Sequence, residues 1–193
     1  GYFMKFDINH LEWIYPPKQS FLSAEKIVIT TDPLTDCWQR THYGFQKDNA
    51  HALVLPLKED FCFTFKASFV YGAQYDQCGL MVYQDSDNWF KASIEYIDDS
   101  LQQLGSVVTA NGYSDWAMQD IDTSVQAIYY RLSRSGADFC IEYSLDGIAF
   151  SQMRVFHFEK GTGVLRTGLY ACSPSDHQFD ATFSEFTLTK SQW

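Results

Sequence analysis

The stretch from Tyr75 to Trp116, YDQCGLMVYQDSDNWFKASIEYIDDSLQQLGSVVTANGYSDW, decides how this chain folds. Its alternation predicts three consecutive antiparallel strands, Gln77 to Tyr83, Trp89 to Ile97 and Leu101 to Thr109. Asp85-Ser86-Asp87-Asn88 and Asp98-Asp99-Ser100 separate them. Such residues bond their own backbone and tolerate turn geometry. Successive side chains of a strand point to opposite faces. Lys91, Ser93 and Glu95 therefore share one face of the middle strand, and Ala92, Ile94 and Tyr96 the other. In the first strand Leu80 and Val82 oppose Gln77, Gly79, Met81 and Tyr83. One face is core. The other sets an acid, a base, an amide and aromatic rings side by side, and the functional surface is expected there.

Working outward, the same period-two signal recurs. Phe61 to Tyr71 (FCFTFKASFVY) sets Phe61, Phe63, Phe65, Ala67 and Phe69 against Cys62, Thr64, Lys66 and Ser68. Shorter runs follow the pattern at Ile27 to Thr31, Ala52 to Leu57, Val125 to Ser133, Asp138 to Ser144, Phe150 to Phe158, Leu165 to Cys172 and Phe179 to Thr189. Asp146-Gly147 supplies a hairpin-type turn. Residues 1–26 read as an irregular segment anchored by Trp13 and Phe21, and Met118 to Ser124 as a polar connector. No amphipathic helix, internal repeat or linker interrupts the series. The whole chain, 1–193, is expected to form one all-β domain, a jelly-roll β-sandwich of two antiparallel sheets.

Composition narrows the function. With 14 Lys and Arg against 24 Asp and Glu the net charge is −10, which repels phosphates, so neither nucleic acid nor an anionic membrane is an expected partner. The 12 Tyr, 16 Phe and 5 Trp suit sheet packing and also suit carbohydrate stacking. Cys37, Cys62, Cys78, Cys140 and Cys172 are odd in number, widely spaced and without a C-x-x-C pair. Reduced, buried thiols and a cytoplasmic location are expected. No hydrophobic run approaches the roughly 20 residues of a membrane span. No signal peptide is visible, and Gly1 resembles the residue left by tag cleavage, which leaves a removed leader open.

The segments DCWQRTHYG (36–44), YDQCGLMVYQDSDNWFKASIEY (75–96), SVVT (106–109), SDWA (114–117) and YSLDG (143–147) together resemble the family of domain of unknown function 1349. The resemblance runs from about Trp13 to Thr189. The family sits in the concanavalin A-like lectin/glucanase superfamily and includes fungal proteins described as regulators of enolase. The resemblance implies a sandwich with one concave sheet; it implies no activity, since fold alone never settles function.

Three functions fit these residues. The first is a non-catalytic binding protein whose concave face takes a carbohydrate or similar polyhydroxylated ligand. Gln77, Lys91, Glu95 and Arg131 would form its polar floor, Tyr83, Trp89 and Trp116 its stacking rings, and Tyr75 and His42 further contacts. The second is an intracellular regulatory module with a protein partner, as the enolase regulators suggest. The third is a divergent glycoside hydrolase using Glu95. Hydrolysis needs two carboxylates flanking the scissile bond, and the E-x-D-x-E run of superfamily glucanases is replaced here by Lys91-Ala92-Ser93-Ile94-Glu95, so a partner would have to come from Asp36, Asp76 or Asp115. Lys91 and Glu95 lie four residues apart, roughly 13 Å along a strand, and each is expected to bond elsewhere, Glu95 to Arg131 for example. No metal ligand set, phosphate loop or nucleophile elbow is present, and no cofactor is expected. The two acidic clusters, the only calcium candidates, read as turns.

Overall fold

The computed structural model describes residues 4–193; Gly1, and with it the tag-scar reading, lies outside the described residues. Sixteen strands follow one another: β1 Glu12–Ile14, β2 Gln19–Leu22, β3 Lys26–Thr30, β4 Cys37–Gln39, β5 Gln46–Asp48, β6 His51–Leu57, β7 Phe61–Ser68, β8 Gln77–Asp85, β9 Asn88–Asp98, β10 Leu101–Ala110, β11 Tyr113–Ile121, β12 Ala127–Ser135, β13 Asp138–Ser144, β14 Ser151–His157, β15 Leu165–Cys172 and β16 Asp180–Lys190. They make two seven-stranded antiparallel sheets, ordered β1-β6-β15-β8-β9-β10-β11 and β14-β13-β12-β7-β16-β3-β2, with β4 and β5 as a separate hairpin. The expected β-sandwich is what the chain adopts. Among the described residues no helix is long and apolar enough to cross a membrane.

The core lies between the sheets and is built by the alternation seen in the sequence. Leu53, Leu80, Val82, Phe90, Ala92, Ile94 and Leu169 point inward from the first sheet; Phe61, Phe63, Phe65, Ile128, Tyr130, Leu132, Phe139 and Phe183 meet them from the second. Phe90 is the centre of an aromatic contact between the layers, with ring centroids 5.0 Å from Phe139, 4.8 Å from Phe156 and 5.3 Å from Phe158. A fully buried Phe truncated to Ala typically loses about 3–5 kcal/mol. Phe90→Ala is expected to fall in that range in denaturant unfolding. A loss under ~1 kcal/mol would contradict its place between the sheets.

Where the sequence predicts an irregular 1–26, β1 pairs with β6 and β2 with β3 at the sheet margins. Where it predicts a polar connector at 118–124, β11 continues through Ile121 as the outermost strand, paired residue for residue with β10. Its exposed side chains alternate too weakly to read as a strand, because an edge strand has one neighbour and no covering layer.

Two glycines let the first sheet close up. A Cβ at Gly79 would collide with the carbonyl oxygen of Ala92, and one at Gly168 with that of Leu53, each on a neighbouring strand. Neither backbone oxygen can rotate away. Gly79→Ala should therefore lose soluble, cooperatively folded protein altogether, as judged by circular dichroism and unfolding; a variant folded as well as the parent would disprove the close approach.

Candidate functional site

The outer face of the first sheet carries Gln77, Met81, Trp89, Lys91, Ser93, Glu95, Val107, Trp116 and Tyr170, in agreement with the alternation of β8 and β9. Strand alternation alone does not show that this face is largely covered. The loop between β3 and β6 folds back over it, and its β4–β5 hairpin packs Cys37 and Trp38 against Ala52, Val54, Met81, Trp89, Val107, Tyr170 and Cys172. Several polar contacts fasten this roof, Arg40 Nη1 donating to the Gly112 carbonyl at 2.8 Å among them. Lys91 Nζ donates to the Cys37 carbonyl at 3.0 Å, the Gln39 amide donates to Ser114 Oγ at 2.9 Å, and Tyr83 Oη donates to Asp48 at 3.0 Å.

Beneath the roof the polar residues satisfy one another. Gln77 is the hub. Its Oε1 accepts from Lys91 Nζ at 2.9 Å and from Tyr170 Oη at 2.9 Å. Its Nε2 donates to the Tyr75 carbonyl at 3.1 Å and to Glu95 Oε2 at 3.4 Å. The amide thus links Lys91 to Glu95, which are too far apart along β9 to meet directly. Lys91 is only 5% exposed, and its ammonium lies 5.6 Å from the ring centroids of both Trp89 and Tyr170. Burial works against its charge, but Cys37, Asp36, Cys172 and Glu95 prevail and hold its pKa above the ordinary lysine value. Glu95 moves the other way for a carboxylate. Burial pushes it up to about 7, Lys91 pulling down and Asp36 adding to the rise. The Cys37 thiol is pushed up to about 12, chiefly by burial.

What remains open is a pocket of about 220 Å³ at one end of the roof. Asp36, Gln77, Lys91 and Glu95 form its floor, and Trp38, Tyr43, Phe45, Tyr75 and Trp116 surround it, with Cys37, Val107 and Pro174 completing the wall. Tyr43, Phe45, Tyr75 and Trp116 are each at least 40% exposed, so the mouth is an aromatic rim facing water.

Of the residues singled out from the sequence, Tyr75, Gln77, Lys91, Glu95 and Trp116 come together here. Four do not. Trp89 is fully buried under the roof, with its Nε1 donating to the Ser86 carbonyl, so it is core and no stacking platform. Tyr83 is engaged with Asp48 and lies outside the pocket wall. His42 packs edge-on against Tyr43 at 5.0 Å and does not reach the pocket. Arg131 belongs to β12 of the other sheet and forms a two-pronged pair with Glu142 at 3.0 and 3.1 Å, its guanidinium 3.9 Å over Phe150. It cannot meet Glu95, because the whole core intervenes. Alternation gave its outward direction; sheet membership is set by long-range pairing that alternation does not encode.

Of the three further carboxylates, only Asp36 joins Glu95. Asp76 is fully buried, accepting from the Gly72 and Ala73 amides and from His177. Asp115 turns to Arg154 of β14 at 2.8 Å. The two acidic clusters are turns: Asp85 accepts from the Asp87 amide and the Asn88 side chain, and Asp98 from Ser100.

The family model described as "Protein of unknown function (DUF1349)" matches residues 13–191. The chain belongs to this family. A DUF1349 chain of this kind has a named relative in Saccharomyces cerevisiae (strain S288c), "Regulation of enolase protein 1", 34% identical over 183 residues covering 95% of this chain and 91% of the relative. A crystal structure described as that of a functionally unknown protein from Saccharomyces cerevisiae superposes with a TM-score of 0.89 at 31% identity, covering 96% of this chain and 98% of the other. A mutant of a GH43 protein, BlXynB from Bacillus licheniformis, aligns with a TM-score of 0.69 at 14% identity, over 97% of this chain but 40% of its own. At that identity the likeness shows a shared sandwich and nothing of activity.

Proposed function

We propose that this DUF1349 protein is a regulatory protein-interaction module, as the name of its yeast relative suggests, with the aromatic mouth of the outer face as the contact. The observation that carries this reading is the roof. An extended saccharide needs an open sheet face and free hydrogen-bonding groups on it. Here the β4–β5 hairpin lies over the face, and Gln77 has both amide ends engaged within the protein. Exposed aromatic residues gathered around one buried polar floor are the composition of protein-interface anchors. The five free thiols support a cytoplasmic setting.

The experiment is direct. Purified protein mixed with enolase should give a stoichiometric complex by size exclusion, with Kd below ~10 µM by calorimetry, and Trp116→Ala should weaken it at least about tenfold. Absence of a complex, together with saturable binding of xylo-oligosaccharides, would overturn the reading.

The raised pKa of Glu95 and its proximity to Asp36 favour one second reading, a divergent glycoside hydrolase with Glu95 as proton donor. It requires measurable hydrolysis of an aryl glycoside that Glu95→Gln lowers by about 10²–10⁴. No activity above the variant's would end it.

A further inference from the structure

The pocket's hydrogen-bonding capacity is one-sided. Asp36 Oδ1 accepts from the Cys37 amide at 2.8 Å, and Glu95 Oε2 from Gln77 Nε2. Among the described residues no donor meets Asp36 Oδ2 or Glu95 Oε1. Gln77 has no free end. Lys91 keeps one N–H of its three after Cys37 and Gln77. The floor therefore offers mainly acceptors. With both carboxylates ionised and Lys91 charged, its net charge is −1. Around this floor stand five rings, those of Trp38, Tyr43, Phe45, Tyr75 and Trp116. Aromatic faces attract a cation within about 6 Å of the centroid, more strongly where water is excluded. A polyol would want donors and acceptors in equal measure. An alkylammonium has three donors and no acceptor, and its methylenes suit the ring walls.

We infer that this pocket receives an alkylammonium cation, the tip of a lysine side chain presented by a protein partner, held by Asp36 and Glu95 between the aromatic rings. A chain of net charge −10 attracts a basic partner surface, and four of the rings are already exposed as an interface rim. This deepens the proposed regulatory reading and rests on it for the source of the lysine. It also gives the buried acid a role. A cation arriving at the floor favours ionised Glu95, which burial and Asp36 disfavour in the free protein and only Lys91 supports. Gln77 from β8, Val107 from β10, Trp116 from β11 and Cys37 from the roof, which line the pocket with it, carry no formal charge at neutral pH. Binding therefore releases a proton, and affinity should rise as pH passes upward through about 7 and level off above it.

The probe is Nα-acetyl-lysine methylamide, followed through the indole N–H resonances of Trp38 and Trp116, with the Nε-acetylated compound as the neutral control. The ammonium probe should saturate both signals, and the acetylated one should bind at least tenfold more weakly. Glu95→Gln should reduce affinity about tenfold and remove most of its pH dependence. Asp36→Asn, on the roof loop, should reduce it comparably if Glu95→Gln proves unstable. Equal binding of the charged and neutral probes, or no effect of either variant, would overturn the inference. A complex with enolase that Trp116→Ala weakens but Asp36→Asn and Glu95→Gln leave unchanged would sink the inference and leave the regulatory reading standing. Probe binding with no protein complex would do the reverse, making the cation a free amine.

Discussion

Lys91→Met is expected to destabilise the protein by about 3 kcal/mol or more, although the side chain does not touch the hydrophobic core between the sheets. The substitution keeps the length of the side chain and removes its charge. It leaves the Cys37 carbonyl without its donor, Gln77 Oε1 with Tyr170 alone, and Glu95 with no cation nearby. Losing one partner of a buried charged set typically costs 3–5 kcal/mol, because the remaining groups stay desolvated and unmatched. Methionine restores the apolar contact with Trp89 and Tyr170, which is why the lower end is expected. Denaturant unfolding at neutral pH measures it. Adding Glu95→Gln to Lys91→Met should recover more stability than Glu95→Gln alone adds to the parent, because the carboxylate is then unmatched; strict additivity of the two would show that they are not one network.

The second large effect is a pH dependence of stability assigned to one residue. Glu95 rises from 4.5 to about 7 on folding, chiefly through burial. Between those values the folded chain holds a proton that the unfolded chain has released. Stability from this group therefore declines as pH rises through that window and is lowest above about 7. At about 1.4 kcal/mol per pH unit the decline amounts to at most roughly 3 kcal/mol, less to the extent that water reaches the side chain. Glu95→Gln should remove the decline, so the variant is near the parent at pH 5 and more stable than it at pH 8. Parallel stability curves across that range would show that Glu95 ionises freely in the fold.

The sandwich was legible because both sheets are amphipathic. Phe61 to Phe69 alternates strictly, and Leu80, Val82, Phe90, Ala92 and Ile94 keep one face on either side of their turn, so the hydrophobic effect allows only one way to orient each strand. The pattern failed where a local irregularity or an edge intervened. In β16 the run Ala181, Phe183, Glu185 would carry Glu185 into the core. A bulge between Ser184 and Thr187, with Glu185 at φ 56°, reverses the phase, so that Leu188 is buried and Glu185 faces water. Nothing in that sequence marks the extra residue.

The site was half legible for the same reason. Gln77, Lys91 and Glu95 share a face because they share a parity on paired strands. Arg131 shares their polarity but not their sheet. The roof was harder. DCWQRTHYG reads as a polar loop, yet its Cys37 and Trp38 seal the face, while Phe45 and Tyr170 complete the site without having been singled out. A hint lay in the loop's own composition: a segment left in solvent has no use for Cys and Trp in sequence, whereas a lid over an apolar floor does. The missing knowledge was tertiary, namely which surface the loop would find.

Amide hydrogen exchange across the β4–β5 hairpin reads the fastening of the roof itself. If the hairpin is a fastened roof, the amides of Gln39 and Arg40, bonded to Ser114 Oγ and the Phe45 carbonyl, should be protected well beyond loop rates in the parent and should lose at least tenfold of that protection in Lys91→Met. Exchange at the rate of an exposed loop in the parent protein would mean that the face is open, and the pocket, its occupant and the regulatory reading would have to be abandoned together.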